Sequence, residues 1–335
     1  MTCSPVDTVR TAFYNGGMNV RRCGKSGILL SELSLGFWHN FGAEASREDN
    51  ARPLGRALEL GITSFDLANN YGPPPGAAEE RMGDLLSREF AAHRDEMFIA
   101  TKAGHLMWNG PYGDWGSRKH LLASLDQSLK RLRLDYVDVF YSHRPDPQTP
   151  LEETMGALVT AVKSGRALYA GLSKYSPSQT YRACALLREA GVPCLVHQVR
   201  YNMLDRDPEH GLFDALRQEG VGCVAFSPLA QGMLTGKYLH GMPSDSRAAG
   251  PSVFLNPETV AGKRDKVEAL SIIADRAGLS LTELAIRWIL RRPEVASVII
   301  GARNIRQLES CAGALSTLPL PEDVVAAVAA VGVDR

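Results

Sequence analysis

Short β-type runs alternate with helical patterns almost from one end of this 335-residue chain to the other. Strands are expected near Leu33–Gly36, Thr63–Asp66, Met97–Thr101, Tyr136–Tyr141, Ala167–Gly171, Cys194–Gln198, Gly222–Phe226 and Ser297–Ile300. These runs recur mostly about 30 residues apart, the spacing of repeated βα units. Ahead of them, Met18–Cys23, the turn Gly24-Lys25-Ser26-Gly27 and Ile28–Ser31 form a hairpin pattern. Alternating strands and helices need a mostly parallel sheet covered by helices. Eight such units favour a closed (β/α)8 TIM barrel over an open doubly wound sheet. The open sheet also lacks its dinucleotide fingerprint, since Leu35-Gly36-Phe37-Trp38-His39 after the first run is not GxGxxG. The expectation is an α/β fold, a (β/α)8 barrel with an N-terminal β-hairpin and extra C-terminal helices. It spans 1–335 as a single domain, with the ordered barrel at about 18–331.

The intervening segments carry helix signals. Leu121, Leu122, Leu125, Leu129 and Leu132 share one face at helical spacing. Thr149-Pro150-Leu151-Glu152 has the pattern of a capping box with Pro at the first helical position, and Gly165 is placed to stop that helix. Ser176-Pro177-Ser178-Gln179 and Ser280-Leu281-Thr282-Glu283 repeat the device. Leu229–Lys263 is irregular and rich in Gly, Pro and Ser. A loop that long in a compact domain is usually functional.

Composition removes several function classes. Lys+Arg and Asp+Glu are both 37, so no global charge steers nucleic acid or an anionic membrane. No apolar run approaches the roughly 18 residues of a membrane span. The first residues lack the apolar core of a signal peptide. The six cysteines, among them Cys194 and Cys223 inside apolar runs, show no CxxC or metal-ligand spacing, and buried free thiols are the expectation. These features fit a reducing cytoplasm. No bound metal is expected, because several strand-end His and Asp ligands would be needed.

Catalytic residues of such a barrel sit at the C-terminal ends of its strands. Asp66 closes Thr63–Asp66, and Tyr71 follows five residues later. Lys102 ends Phe98–Lys102, and His143 ends Val137–His143. Taken singly, each has an ordinary explanation: a turn-forming Asp, a Tyr packing a proline-rich loop, a solvated Lys, a loop His. Together they are what a carbonyl reductase needs. Negative charge develops on the carbonyl oxygen as hydride arrives, so an acid must deliver a proton. A free Tyr, with a pKa of about 10, is a poor acid near neutrality. A nearby Lys ammonium is expected to lower that pKa, and a carboxylate beside the Lys to keep it charged. A His beside the oxygen would polarise and position the carbonyl.

Phe65-Asp66-Leu67-Ala68-Asn69-Asn70-Tyr71-Gly72, Thr101-Lys102 and Leu134 through Arg144 resemble the catalytic motifs of the aldo-keto reductases. Ala225-Phe226-Ser227-Pro228-Leu229-Ala230-Gln231-Gly232 with Leu234-Thr235-Gly236-Lys237-Tyr238 is similar to that family's cofactor loop, and Ile299-Ile300-Gly301-Ala302-Arg303 to its adenine-end segment. The motifs keep the family's order from about Val20 to the last helix. Within the family, Asn69 through Gly76, Trp38-His39-Asn40-Phe41-Gly42 and Gly110-Pro111-Tyr112-Gly113 resemble the bacterial L-glyceraldehyde 3-phosphate reductases. Those are similar to the β subunits of voltage-gated potassium channels, which carry Asn where this chain has His143.

The resemblance implies NADPH/NADP+ as cofactor and a small aldehyde or ketone as substrate, such as L-glyceraldehyde 3-phosphate or a methylglyoxal-like compound. It implies homo-oligomers, tetramers or octamers. It sets Trp38 and Asp66 near the nicotinamide ribose, and Ser173 and Gln198 at the carboxamide. Phe226 would lie beside the nicotinamide, with Ser227, Leu229, Gly232 and Lys237 along the pyrophosphate. Arg247, Gly301, Arg303 and Gln307 would hold the adenosine end. Gly301-Ala302-Arg303 is expected to enter a helix whose N-terminal amides favour a phosphate. Two departures stand out. Lys174 follows Ser173 where close relatives often have a small residue. Ser310-Cys311 replaces the Glu-Asn that commonly holds the adenine. The alternative activity is that of a cofactor-binding regulatory subunit like the channel β subunits.

Overall fold

The structure, a computed structural model, describes residues 17–38, 41–42, 46–239, 241–243, 248, 255–315 and 319–332. Strands β1 (Val20–Arg22) and β2 (Leu29–Ser31) form the expected hairpin, with Val20 opposite Ser31 and Arg22 opposite Leu29. After it come β3 (Leu33–Gly36), β4 (Ser64–Asp66), β5 (Phe98–Ala103), β6 (Val137–Ser142), β7 (Ala167–Ser173), β8 (Cys194–Arg200), β9 (Gly222–Phe226) and β10 (Val295–Ile300). These pair in parallel in sequence order, and β10 returns to β3. That closing pair excludes the open sheet. Several strands run past their expected ends: β5 to Ala103, β6 to Ser142, β7 to Ser173 and β8 to Arg200.

Helices cover the barrel between strands: α1 (Arg47–Glu59), α2 (Ala77–Arg88), α3 (Arg118–Leu132), α4 (Leu151–Lys163), α5 (Pro177–Glu189) and α6 (Leu212–Glu219). Beyond β9 come α7 (Pro257–Arg276) and α8 (Leu281–Leu290), and beyond β10 come α9 (Ile305–Gly313) and α10 (Glu322–Ala330). Helices α7 and α10 exceed the one-per-strand pattern and touch each other. The irregular stretch after β9 is shorter than expected. Asn256 caps α7 through Thr259 N, and Pro257 holds its first position, so the helix is set well before Lys263.

Local chemistry explains most helix starts. Ser176 and Gln179 form a reciprocal capping box at α5, as do Ser280 and Glu283 at α8. The expected box at α4 is absent. Pro150 occupies the cap position, and the Thr149 hydroxyl donates instead to Asp146 Oδ2 at 2.6 Å. That carboxylate also accepts backbone N–H groups from Gly116, Gln148 and Thr149, a stronger draw than a helix amide.

Two apolar zones hold the barrel. Cys23, Leu30, Ala100, Val139, Val196, Val224 and Ile299 cluster together. The cluster joins the hairpin to the inside of the barrel, so β1 and β2 stopper the end where the strands begin. A larger cluster fills the space between strands and helices, with Leu121, Leu125, Leu129 and Leu132 of α3 buried in it. Gly83 marks its tightest helix contact: a Cβ there would lie 2.1 Å from the Arg131 carbonyl oxygen on α3. Gly83→Ala is therefore expected to destabilise the fold by about 1–3 kcal/mol or more, despite alanine's better helix propensity. A denaturant midpoint equal to the parent's would contradict this packing.

Candidate active site

The C-terminal ends of the strands bring the four expected catalytic residues together. Asp66 is the last residue of β4 and pairs in register with Ala100 of β5. Lys102 on β5 pairs with Tyr141 of β6, and His143 follows β6, its backbone N–H donating to Ala103 O at 2.9 Å. Tyr71 stands in the loop after β4, which is anchored by Asn69 N–H to Lys102 O at 3.0 Å.

Lys102 is completely buried, not the solvated strand-end charge it resembles when taken singly. Its ammonium spends its donors on Asp66 at 2.8 Å, Leu67 O at 2.6 Å and the Tyr71 hydroxyl at 3.3 Å. It also sits 4.8 Å from the Tyr71 ring centroid. Asp66 Oδ1 accepts from Gln198 Nε2 at 2.7 Å, so the carboxylate is held from both sides. The His143 ring meets Tyr71 edge-on at 5.9 Å between centroids.

The direction of the tyrosine's titration differs from expectation. Burial, together with the Asp66 carboxylate, pushes the Tyr71 phenol well above its ordinary 10. Lys102 does not reverse this, because Asp66 holds the same ammonium more closely. Lys102 itself is lowered by burial, an effect Asp66 opposes. His143 falls well below 6.5 through burial and then through the charges of Lys102 and Lys174. The arrangement keeps a protonated phenol and a neutral imidazole side by side, with a cation beside the phenol oxygen.

A cavity of about 740 Å³ opens over this group. Asp66, Tyr71 and His143 line it near the barrel axis, with Trp38 and Gln198. Phe226, Ser227, Leu229, Gly232 and Lys237 continue the wall, and Gly301, Arg303 and Gln307 extend it. Ser173 is fully buried at the end of β7, beside Gln198 in register. Arg247 lies outside the described residues, as do His39 and Asn40. The Gly301 segment departs from expectation in one respect. Helix α9 begins at Ile305 with Asn304 as its cap, so Arg303 precedes the first turn. Its backbone N–H donates to Gln307 Oε1 at 2.9 Å.

Among the charged or titratable lining residues, sequence reasoning gave no role to His105, Arg200 and Arg306. His105 packs edge-on against His143 at 4.5 Å, and burial with neighbouring cations lowers its pKa to about 4. Arg200 lies two residues past Gln198, and Arg306 in the first turn of α9. A signal existed for the first two, since both follow an expected site residue at a strand end. Ser310 and Cys311, the departures at the adenine-side position, line the cavity as well.

Several buried polar atoms here have no protein partner: Ser173 Oγ, His143 Nδ1 and both amide atoms of Asn69. Buried polar groups are normally paired, so such a group in a native fold calls for an explanation. Polar atoms of this kind beside an aromatic wall and a cationic far end fit a nicotinamide dinucleotide. Among the described residues no group of three or more His, Cys, Asp and Glu is placed to hold a metal ion. Nor, among the described residues, is any helix long and apolar enough to cross a membrane.

Residues 32–332 match the family model described as the aldo/keto reductase family. An L-glyceraldehyde 3-phosphate reductase of Escherichia coli K12 is 54% identical over 90% of this chain and 89% of the relative. A protein of the same name from Escherichia coli O157:H7 is 52% identical over 93% of this chain and 92% of its own length. A probable voltage-gated potassium channel subunit beta of Arabidopsis thaliana is 39% identical over 92% of this chain and 94% of its own length.

Proposed function

Because the chain belongs to the aldo/keto reductase family, and so is an oxidoreductase of carbonyl and alcohol groups, we propose that it reduces small aldehydes or ketones with NADPH through Asp66, Tyr71, Lys102 and His143. The observation that carries this reading is Lys102, buried without solvent contact and shared between Asp66 and the Tyr71 hydroxyl. A surface turn or a packed loop has no use for that expensive arrangement.

When bound, the nicotinamide supplies hydride to the carbonyl carbon. Tyr71 holds the proton that the developing alkoxide takes. Its raised pKa keeps it protonated at neutral pH, and an alkoxide is a far stronger base than a phenolate. Lys102 then stabilises the phenolate left behind at the Tyr71 oxygen. Asp66 keeps Lys102 charged against its burial, and Gln198 fixes Asp66. His143, neutral, positions the substrate oxygen beside Tyr71. Lys102 and Asp66 are buried, so their charges act in a lower dielectric than water.

Ser173 and Gln198 would hold the carboxamide, Trp38 and Asp66 the adjoining ribose, and Phe226 the face of the ring. Ser227, Leu229, Gly232 and Lys237 would line the pyrophosphate. Arg303, Gly301 and Gln307 would meet the adenosine end. L-glyceraldehyde 3-phosphate, named for the two bacterial relatives, is the substrate proposed first. A purely regulatory subunit, the alternative prompted by the channel-subunit name of the plant relative, would have no need of a buried Lys–Tyr–His set.

Two outcomes follow. The 2′-phosphate of NADPH matches a guanidinium fork, so Arg303→Ala should weaken NADPH binding roughly 10- to 150-fold, the worth of one charge-assisted contact, and barely change NADH. Fluorescence titration of both cofactors at two salt concentrations measures this, and equal losses would remove Arg303 from the role. The pH dependence is the second. A histidine with depressed pKa stays neutral until pH falls through that lower value, so reduction should show no acidic limb near 6.5. A limb there in kcat/KM would mean His143 titrates normally and is not held neutral.

A further inference from the structure

The charges of the cavity do not balance locally. Lys102 is answered by Asp66 at 2.8 Å. Arg144 is answered by Asp114 at 2.7 Å and stacks on the Trp115 ring at 3.6 Å. Those two cations lie behind the cavity wall, whereas Lys174 and Arg200 line the cavity itself. Neither side chain meets a carboxylate in an ion pair among the described residues. Lys237, Arg303 and Arg306 also line the cavity, but they follow β9 and β10, on the side suited to the cofactor phosphates. Lys174 and Arg200 come from β7 and β8, between those cations and the strands that carry Asp66, Lys102 and His143.

Lys174 is held in place with some strain. Its φ of 63° lies in the left-handed region, which costs a residue with a Cβ and persists only where its surroundings enforce it. Its backbone N–H donates to Gln198 O at 3.0 Å, and its ammonium stands 5.9 Å from the centroid of Phe226. The backbone is thus fixed beside Gln198, and the exposed side chain lines the cavity near Phe226. Both His105 and His143 feel its charge, which sets it near the catalytic group. Burial and the charges of Lys102, Arg144 and Arg200 lower its pKa to about 8. Like charges gathered in a partly desolvated cavity destabilise one another, and a bound anion relieves that repulsion.

We propose that Lys174 and Arg200 form a specificity subsite that binds the anionic group of the substrate, a phosphate or a carboxylate, while its carbonyl faces Tyr71 and His143. The proposal rests on the reductase reading and narrows its substrate class to carbonyl compounds bearing an anion. Lys174 and Arg200 act here by binding the substrate's charged end, away from the reacting atoms.

Matched substrates test it. One pair is glyceraldehyde and glyceraldehyde 3-phosphate; the other is butyraldehyde and succinic semialdehyde. The readout is the ratio of kcat/KM for the anionic over the neutral member, in the parent, Lys174→Met, Arg200→Gln and Lys174→Arg. Because both members pass through the same variant, general damage to the site cancels in the ratio. The parent should favour at least one anionic member. Lys174→Met and Arg200→Gln should each lower that ratio about 10- to 150-fold, mainly through KM, and Lys174→Arg should largely keep it. Loss confined to the phosphate pair or to the carboxylate pair supports the subsite and identifies its anion. Neutral and anionic members reduced equally well by the parent, or a ratio unmoved in both neutral variants, would overturn the subsite and leave the reductase reading standing. A fall in NADPH affinity with an unchanged ratio would overturn it too, since the cations would then serve the cofactor. A parent that reduces none of the four aldehydes would fail the reductase reading first, and the subsite with it.

Discussion

Tyr71→Phe is expected to bind cofactor nearly as well as the parent and to reduce aldehyde about 10²–10⁴ times more slowly, the usual worth of a positioned general acid. The substitution isolates the hydroxyl. The ring keeps its contacts with Lys102 at 4.8 Å and with His143 at 5.9 Å, so the pocket has no reason to collapse. What disappears is the one proton donor that Lys102 approaches, at 3.3 Å. The alkoxide must then take its proton from water, without the Lys102 ammonium beside the donor to stabilise the charge left behind. Single-turnover reduction at saturating cofactor, beside a cofactor titration, separates chemistry from binding. Near-parental turnover would show that the proton comes from elsewhere.

Lys102→Met should cost about 10²–10³ in turnover, comparable to removing one preorganised charge stabiliser. The physical reason is the phenolate. After proton transfer the Tyr71 oxygen is negative and buried, with Asp66 close by to repel it, and Lys102 is the cation between them. Methionine keeps the apolar stem and removes that charge. Asp66→Asn should act in the same direction more mildly, since it leaves the ammonium in place but lets burial draw its pKa down further. Because the lysine is fully buried, thermal melts must accompany the kinetics. The signature sought is a loss in kcat much larger than the loss in NADPH affinity. Variants that kept the parent's turnover and pH–rate profile would show that the Asp66–Lys102–Tyr71 coupling has no catalytic role.

Periodicity revealed the barrel because each βα unit writes its own apolar pattern, and the hairpin was equally plain from its glycine-flanked turn. The strands' functional ends were less legible. Lys102, Ser142, Ser173 and Arg200 are polar, and polarity at a strand end resembles a loop. In the structure these residues continue the ladder because Lys102, Ser142 and Ser173 are buried and Arg200 lines the cavity. Sites at strand ends therefore shorten the strands that sequence patterns suggest. The α4 cap failed for a different reason: Asp146, three residues earlier, competes for Thr149, and no local motif ranks two such partners. The raised Tyr71 pKa was invisible because it comes first from burial and then from the Asp66 carboxylate, and neither can be weighed from a motif. His105 and Arg200 became significant only when the strands were closed into a ring, and Lys174, conspicuous in the sequence only as a departure after Ser173, gained a role there.

The central claim is that the buried Lys102–Tyr71 pair makes this chain a reductase of carbonyl compounds. The most direct test is loss of reduced nicotinamide absorbance when the purified protein meets NADPH and glyceraldehyde 3-phosphate, with the Tyr71→Phe protein alongside. The account predicts steady NADPH oxidation by the parent, stoichiometric with alcohol formed, and a rate at least about a hundredfold lower for the variant. A parent that binds NADPH but never oxidises it with any aldehyde, or a variant as fast as the parent, would contradict it.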